Sequence, residues 1–531
     1  MKDVKSLLLT LAGILSAGGL SAQEGRGKPD DWFVTKTPPK SQAPPQQISS
    51  SELIPILPGP PAVPESASER KRPPSPDYLM GKVVWGQSSS IGNVTLHDWN
   101  LAANDLEHIM QQARSRGFAY FPAQTKLNEF DFDPKRLPAL MISGVRPLKV
   151  SPAQAKKLRE YVLNGGMIVC DSVYGSPFFY ESALELFNQM FPESRFRVLP
   201  ADHPLYHMVV DVDKAQYACG TPPKADGRKG EGEKGSGGDS PYLEGIYVGS
   251  RVGVLLSRYG LGCGWEGKMD IFPLLQERGL KPSAYSVQTA RQIGDNLAAY
   301  IIGYAQAGEI EGQPELFGLP DQKDPTAEFV FAQIKHDGAW NAHPGAARTL
   351  LSNLKRFSTI PVNLKRVGVD PAKDDLAPYP FLYLTGLDDF VLAPQAVPRL
   401  RNYVENGGTL LINNSLGLAA FHQAVPREMA RLFADKPLKQ LPAAHPLFSS
   451  LFDIKRVDYA PTLRKHMGKE LGDQPLLFGL MVGEQKRLGV IYSPYDLEAG
   501  WNEVYYPLLR GYEPLSAQQL GMNIIVYAMT H

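Results

Sequence analysis

The sequence predicts an α/β protein made of two tandem three-layer α/β/α domains with mostly parallel sheets. Three observations predict this: the chain repeats itself, each copy alternates short apolar strands with helices, and the chain can fill large cores. At about 150 residues per domain, 531 residues leave room for three to four units, and 43% hydrophobic content supplies the apolar side chains to bury. The repeat then sets the division. Leu158-Arg-Glu-Tyr-Val-Leu-Asn-Gly-Gly166 matches Leu400-Arg-Asn-Tyr-Val-Glu-Asn-Gly-Gly408, and the same shift carries Ser143-Gly144 onto Thr385-Gly386 and His203-Pro-Leu205 onto His445-Pro-Leu447. Trp99-Asn100 falls on Trp340-Asn341, Gly264-Trp265 on Gly500-Trp501, and Ile293-Gly-Asp-Asn296 on Leu520-Gly-Met-Asn523.

From the N-terminus, Lys2 and Lys5 precede the apolar run Leu7–Leu15 and the small residues Ser16–Ala22. This is the layout of a secretory signal over residues 1–22, with an apolar core too short to span a bilayer as a helix. Residues 23–78 are rich in Pro, Ser, Gln and Lys, a composition that removes backbone donors and favours an extended tether. The first domain is expected over 79–306, with a Gly/Lys/Glu-rich insertion over 221–240 that the second copy lacks. A linker over 307–326 leads to the second domain over 327–531.

Within the second copy, Phe329–Ile334 reads as a strand and Gly345–Phe357 as a helix with apolar residues at Leu350, Leu351 and Leu354. Phe381–Leu384 is a short strand, Pro394–Asn406 a helix closed by Gly407-Gly408, Thr409–Ile412 a strand, and Pro426–Phe433 a helix. Leu477–Val482 and Leu488–Ser493 flank Gly483–Lys486 as a hairpin, and Gly245–Val248 with Val252–Leu256 form its counterpart around Gly249-Ser250. Strands alternating with helices give a doubly wound sheet, whose ligands bind beyond the carboxyl ends of the strands at the topological switch point.

Fifty-five basic against fifty-five acidic side chains leave a formal net charge of 0, which offers no global field for nucleic acid or an anionic membrane. An exported chain with three cysteines allows one disulfide at most, and Cys219 with Cys263 is the pairing considered. Cys170 ends an apolar run and reads as a buried small hydrophobe.

The pattern Tyr-Leu-Thr-Gly at 383–386, the Leu-Arg-x-Tyr-Val-x-Asn-Gly-Gly motif, His-Pro-Leu, and Ser493-x-Tyr-x-Leu-x-x-Gly-Trp501 resembles the bacterial domain-of-unknown-function family 4159, in both copies. More distantly, the Asn-Gly-Gly strand and the Asp202-His203-Pro204 turn resemble ThuA-like members of the class I glutamine amidotransferase-like superfamily. That second resemblance implies a flavodoxin-like fold. The first family supplies no catalytic residues to carry over.

In amidotransferase-like folds a nucleophile sits on the turn after the strand that follows Asn-Gly-Gly. Here that turn is Asn413-Asn414-Ser415-Leu416-Gly417, making Ser415 a weak candidate nucleophile, whereas the first copy has Val173 in its place. Asn413, where the turn demands a small residue, argues for a polar structural turn instead. His203 and His207, and the group His336, Asp337 and His343, raise the question of a metal, but Pro204 interrupts the first pair and Ser449 replaces the later histidine in the second copy. No metal and no cofactor is expected, and His203 and His445 are read as braces for a turn. The ligand-binding candidates are Asp337, Trp340, Asn341, Asn413, Asn414, Ser493, Tyr495, Asp496, Trp501 and Glu503, a polar group with aromatics at strand ends. Of these, Trp501, like Trp265, is more readily a packing residue. The copies share glycines, prolines and apolar blocks but not acids, bases or nucleophiles. The sequence therefore points to a non-catalytic periplasmic or secreted protein that binds an envelope carbohydrate or protein. The alternative is a hydrolase of glycan or amide bonds working through the second domain alone.

Overall fold

Short apolar runs between helical segments have nowhere to go but a sheet covered on both faces, and each repeat builds one. The computed structural model describes residues 78–91, 94–115, 120–129, 133–219, 240–267, 281–312, 329–434, 436–484 and 487–531. The expected export signal, the tether up to residue 77, the insertion up to residue 239 and the linker from residue 313 lie outside them. Pro76–His531 form one compact unit that contains both repeats.

The first repeat contributes β1 (Tyr78–Val84), β2 (Phe121–Lys126), β3 (Ala139–Gly144), β4 (Met167–Ser172), β5 (Arg197–Val198), β6 (Glu244–Val248) and β7 (Arg251–Ser257). The second contributes β8 (Phe329–Ile334), β9 (Val362–Val369), β10 (Phe381–Gly386), β11 (Thr409–Asn414), β12 (Lys439–Gln440), β13 (Phe478–Val482) and β14 (Arg487–Ser493). The strand orders are β2-β1-β3-β4-β7-β6-β5 and β9-β8-β10-β11-β14-β13-β12, the same topology twice. In each, the first five strands are hydrogen-bonded in parallel, and the sixth runs antiparallel to both of its neighbours. Counting only the parallel strands gives the order 2-1-3-4-5 of doubly wound flavodoxin-type sheets.

The helices are α1 (Asp105–Ser115), α2 (Pro152–Leu163), α3 (Pro177–Met190), α4 (Gly262–Glu266), α5 (Val287–Gly303) and α6 (Ala305–Glu311). They continue with α7 (Ala346–Phe357), α8 (Ala396–Glu405), α9 (Ala419–Leu432), α10 (Pro461–Met467), α11 (Glu498–Trp501) and α12 (Pro514–Thr530). Alternate residues of one strand enter different cores, as the two-residue strand period requires. Phe329 and Phe331 of β8 pack with Leu350, Leu354, Trp501 and Leu520, whereas Val330, Ala332 and Ile334 pack with Leu400, Val404, Phe421 and Met429. Both faces are dry, so β8, β10 and β11 are buried along their whole length.

The repeated motifs are packing devices. Asn164 and Asn406 close α2 and α8, and Gly165 (φ 103°) and Gly407 (φ 112°) take the left-handed conformation that follows. The next glycine lies against a ring, since a Cβ on Gly166 or Gly408 would fall 2.4 Å or 2.2 Å from Tyr161 or Tyr403. The arginine of the motif ties down the following helix, Arg159 donating to Met190 O at 2.6 Å and Arg401 to Leu432 O at 2.5 Å. In the Gly-Trp motif the indole N–H of Trp265 donates to Ala290 O at 2.7 Å, and that of Trp501 to Ala517 O at 2.8 Å. His203 and His445 brace their turns as expected, each ring accepting the backbone N–H two residues on at 3.2 Å. Asn296 and Asn523, from the C-terminal helices, hold the same turns.

Four details differ from the expectations. Helix α6 runs into the expected linker and ends at Glu311, which is fully buried because it reaches the second repeat. Helix α9 starts at Ala419 rather than near Pro426, and carries that proline inside it. Strand β9 was not foreseen: it is an edge strand whose partly exposed Asn363, Leu364 and Lys365 break the apolar run. All three cysteines are free thiols, so the Cys219–Cys263 bridge is not formed, although both pack in a small cluster with Val173, Tyr174 and Ala284.

The repeats are joined by polar groups as well as by chain. Asp202 of the first repeat accepts the N–H of Ala419 at 2.9 Å, at the start of α9, and pairs with Arg510 at 3.1 Å. Arg197 approaches Asp388 at 3.5 Å, and Tyr304 donates to Pro507 O at 3.0 Å.

Candidate functional site

The connections from β8 and β10 leave towards opposite sides of the second sheet, so a crevice opens at their carboxyl ends. The chain leaves β8 through Lys335, His336 and Asp337. The His336 ring donates from Nε2 to Thr385 O at 2.8 Å and accepts the Gly338 N–H at Nδ1 at 3.0 Å, so both nitrogens are committed and the ring is neutral. Burial pushes its pKa down to about 4, against the opposing pull of the Thr385 carbonyl and Asp337. Trp85 does the same job in the first repeat, donating to Ser143 O at 3.0 Å. His336 is therefore a spacer between strand ends.

Gly338 permits a close approach, since a Cβ there would lie 2.7 Å from Phe390 and 3.0 Å from the Asp388 carbonyl. The next residue, Ala339, has φ 55°, a left-handed conformation that costs a side-chain-bearing residue roughly 1–2 kcal/mol. This bend turns Trp340 and Asn341 towards the crevice. Both are held from below: Gln333 donates to Trp340 O at 2.7 Å, and Arg366 of β9 donates to Asn341 Oδ1 at 2.6 Å and to Gln333 Oε1. Burial lowers the Arg366 pKa to about 10, which leaves it charged at neutral pH.

Opposite this loop stand Arg195, Arg197 and Tyr247 of the first repeat. Together with Lys335, Asp337 and Trp340 they line a cleft of about 560 Å³ between the repeats. Three of the residues singled out in the sequence, Asp337, Trp340 and Asn341, meet in it. Five others, Asn413, Asn414, Ser493, Asp496 and Trp501, are buried and support the scaffold.

Asp496 shows why. Its Oδ1 accepts the Asn413 amide at 3.0 Å and the N–H groups of Glu498 and Ala499 at 2.8 and 3.2 Å, and its Oδ2 accepts the Leu416 N–H at 2.7 Å. Asn413 in turn accepts the Leu497 N–H at 2.9 Å. The first repeat replaces this pair with Asp171, which accepts the N–H groups of Leu261 and Gly262 at 2.8 and 2.9 Å. Asn414 donates to Pro494 O at 3.1 Å, and Ser493 to Tyr495 O at 2.5 Å. Tyr495 is half-buried, edge-on to Tyr459, and Glu503 is exposed at φ 53°.

Ser415 is fully enclosed, with its hydroxyl 2.6 Å from that of Thr385 and 3.4 Å from Glu498 Oε2. Burial raises the Glu498 pKa to about 7. The left-handed position of the turn belongs to Leu416 (φ 55°), as it does to Tyr174 (φ 54°) in the first repeat, so the bend presents an apolar side chain where an elbow would present its nucleophile.

His343 lies between Glu311 Oε1 at 2.9 Å and Asp496 Oδ2 at 3.2 Å, all three fully buried. With a carboxylate on each nitrogen, both must donate, so the ring is an imidazolium. Burial works to lower its pKa, but Asp496 and Glu311 outweigh this and hold it well above the ordinary value. The same ion pair holds Asp496 low against the opposing effect of burial. Glu311 also accepts from the Ser250 N–H at 2.8 Å and the Tyr506 hydroxyl at 2.6 Å.

Sequence reasoning missed Glu311, Arg195, Arg197, Tyr247 and Arg366. Glu311 had been placed in a linker, and Arg366 sits on the unforeseen strand. Among the described residues no three or more His, Cys, Asp and Glu side chains are grouped to hold a metal, and no helix is long and apolar enough to cross a membrane.

A family described as a domain of unknown function (DUF4159) matches residues 95–302 and again residues 330–529. The chain belongs to the DUF4159 family. The second DUF4159 match spans the second sheet, and the first spans the first sheet apart from β1, so each match falls on one doubly wound unit. No curated protein matches the chain.

Proposed function

We propose that this DUF4159 protein is a non-catalytic binding protein of the cell envelope, exported by its N-terminal signal, which takes a carbohydrate or protein component into the inter-repeat cleft. One observation carries the reading. The loop Asp337–Asn341 is bent and braced so that it faces an open cleft, whereas the hydroxyls and carboxylates at Ser415, Asp496 and Glu498 are consumed inside the scaffold. Preorganised polar groups around a concave, partly apolar surface are what small-ligand recognition needs.

Thermal-shift titration with fractionated envelope saccharides and peptides tests it. A fraction that raises the melting temperature of the wild type should fail to do so with Trp340→Ala, while Ser415→Ala behaves as wild type. A shift that persists in Trp340→Ala would remove the cleft from the reading. Ester, amide or glycoside turnover that disappears in Ser415→Ala would replace binding by hydrolysis. For export, the mature N-terminus is expected directly after Ala22 in the periplasmic or secreted fraction; full-length chain confined to the cytoplasm would overturn that part.

A further inference from the structure

We propose that the cleft recognises an anionic saccharide, a sugar chain bearing carboxylate or phosphate groups; this rests on the binding reading above and names its ligand class. The charges in the cleft do not cancel. Glu193 is paired with Arg159 at 3.1 Å, and Arg197 with Asp388 at 3.5 Å. Among the described residues no carboxylate is within salt-bridge distance of Arg195 or Lys335. Asp370, within electrostatic reach of Lys335, is paired with Lys373 outside the cleft lining, which leaves two cations beside the single unpaired lining carboxylate of Asp337. Arginine offers a planar fork for a carboxylate or phosphate, and lysine a point charge beside it.

A second, independent feature is Tyr247, on the first-repeat wall. It is 4% exposed, and its hydroxyl has no hydrogen-bond partner. A buried hydroxyl left unsatisfied is costly, and an incoming ligand oxygen would satisfy it. Trp340, half-buried on the opposite wall, makes no ring contact with any described aromatic and offers an indole face to the C–H face of a sugar ring. Asp337 is exposed and able to accept ligand hydroxyls, and the strained Ala339 between it and Trp340 fixes their relative direction.

The volume of about 560 Å³ suits a short segment of a chain-like ligand rather than a broad protein face. Two unpaired cations in a chain of net charge 0 match a sparsely charged sugar chain and not the dense charge of nucleic acid.

Calorimetric titration of the full chain with four probes tests this: a tetrauronate, its carboxyl-reduced neutral counterpart, a phosphorylated tetrasaccharide, and inorganic phosphate. At least one anionic saccharide should bind ten-fold or more tightly than the neutral one, and which of the two does so identifies the charged group. The double variant Arg195→Gln/Lys335→Gln should weaken it ten-fold or more and flatten its salt dependence. Tyr247→Phe should weaken it about three-fold without lowering the melting temperature, and Trp340→Ala should weaken saccharides but not phosphate. Inorganic phosphate binding as tightly as the saccharides would overturn the sugar. Neutral saccharide binding equally well through Trp340 would overturn the charge while leaving the binding reading standing. If no probe binds but envelope fractions still shift the wild type through Trp340, the ligand class falls alone; if neither binds, both fall.

Discussion

In the first repeat the buried charge beneath the strand ends is a local pair: Lys82 of β1 reaches Asp105 of α1 at 2.8 Å, and both come from the same repeat. In the second, the residue paired in the same register is Gln333, its neighbour Arg366 is supplied by the edge strand, and the main buried charge is His343 held between Asp496 and Glu311. Glu311 belongs to the other repeat. One topology thus encloses two different polar centres, one self-sufficient and one completed from outside. The backbone and its packing motifs tolerate this because the polar groups sit at strand ends, where side chains can change without altering register.

The largest test of that contrast is His343→Ala. It leaves two buried carboxylates without their cation and should cost about 3–5 kcal/mol in urea unfolding. Lys82→Met strands one buried carboxylate and should cost a similar amount, but its effect should be confined to the first repeat, whereas His343→Ala should loosen the junction between repeats. Hydrogen exchange along the chain separates the two patterns.

The pH response sharpens the comparison. Burial raises Asp171 and Glu498 to about 7, so both native centres keep a proton that the unfolded chain releases near the ordinary carboxylate value. Their contributions are complete below about pH 4 and lost as pH rises through about 7. His343 is also raised, so its contribution is complete below about pH 6.5 and is lost only as pH climbs through its higher pKa. Urea midpoints should therefore decline between about pH 4 and 7 through both repeats and between about pH 7 and 8, below the range where buried thiols and phenols begin to contribute, through the second alone. Asp171→Asn and Glu498→Gln should flatten the first part of the curve, and His343→Gln the second.

A smaller effect is expected at Asp202. Its replacement by Ala removes the acceptor at the start of α9 and the partner of Arg510, and should cost about 1–2 kcal/mol. No counterpart exists in the other direction, since the equivalent turn of the second repeat carries Ala444. Smallest is Ala339→Gly, which relieves a left-handed alanine at the cost of greater freedom in the unfolded chain. A net gain of about 0.5–1 kcal/mol in thermal stability is expected, with weaker ligand binding because Trp340 is less firmly aimed.

The repeat, the parallel sheet, the hairpins and the braced turns were legible because each follows from local pattern: a two-residue strand period, a glycine after a helix, a histidine before proline. The cleft was reached only in part. Asp337, Trp340 and Asn341 could be found because they follow a strand and align with Trp99-Asn100. Asp496 and Trp501 were selected by the same logic and proved to be interior, since a carboxylate beside hydroxyls reads alike whether it faces solvent or caps the N–H groups of Leu416 and Glu498. Direction is a property of packing and leaves no mark on the order of residues. Glu311 was illegible for a different reason: its partners Tyr506 and His343 are remote in the chain, and nothing in its neighbourhood announces burial. Arg195 and Tyr247 were passed over because every ligand-binding candidate was sought in the second repeat.

The carboxylate that α6 lends to its neighbour also gives the tandem a direction. The second half produced alone would shut a positively charged imidazole away with only one counter-ion. The duplication has therefore ceased to be two interchangeable modules: shuffling, trimming or swapping one half is an attack on the other, and the pair is what can be inherited intact.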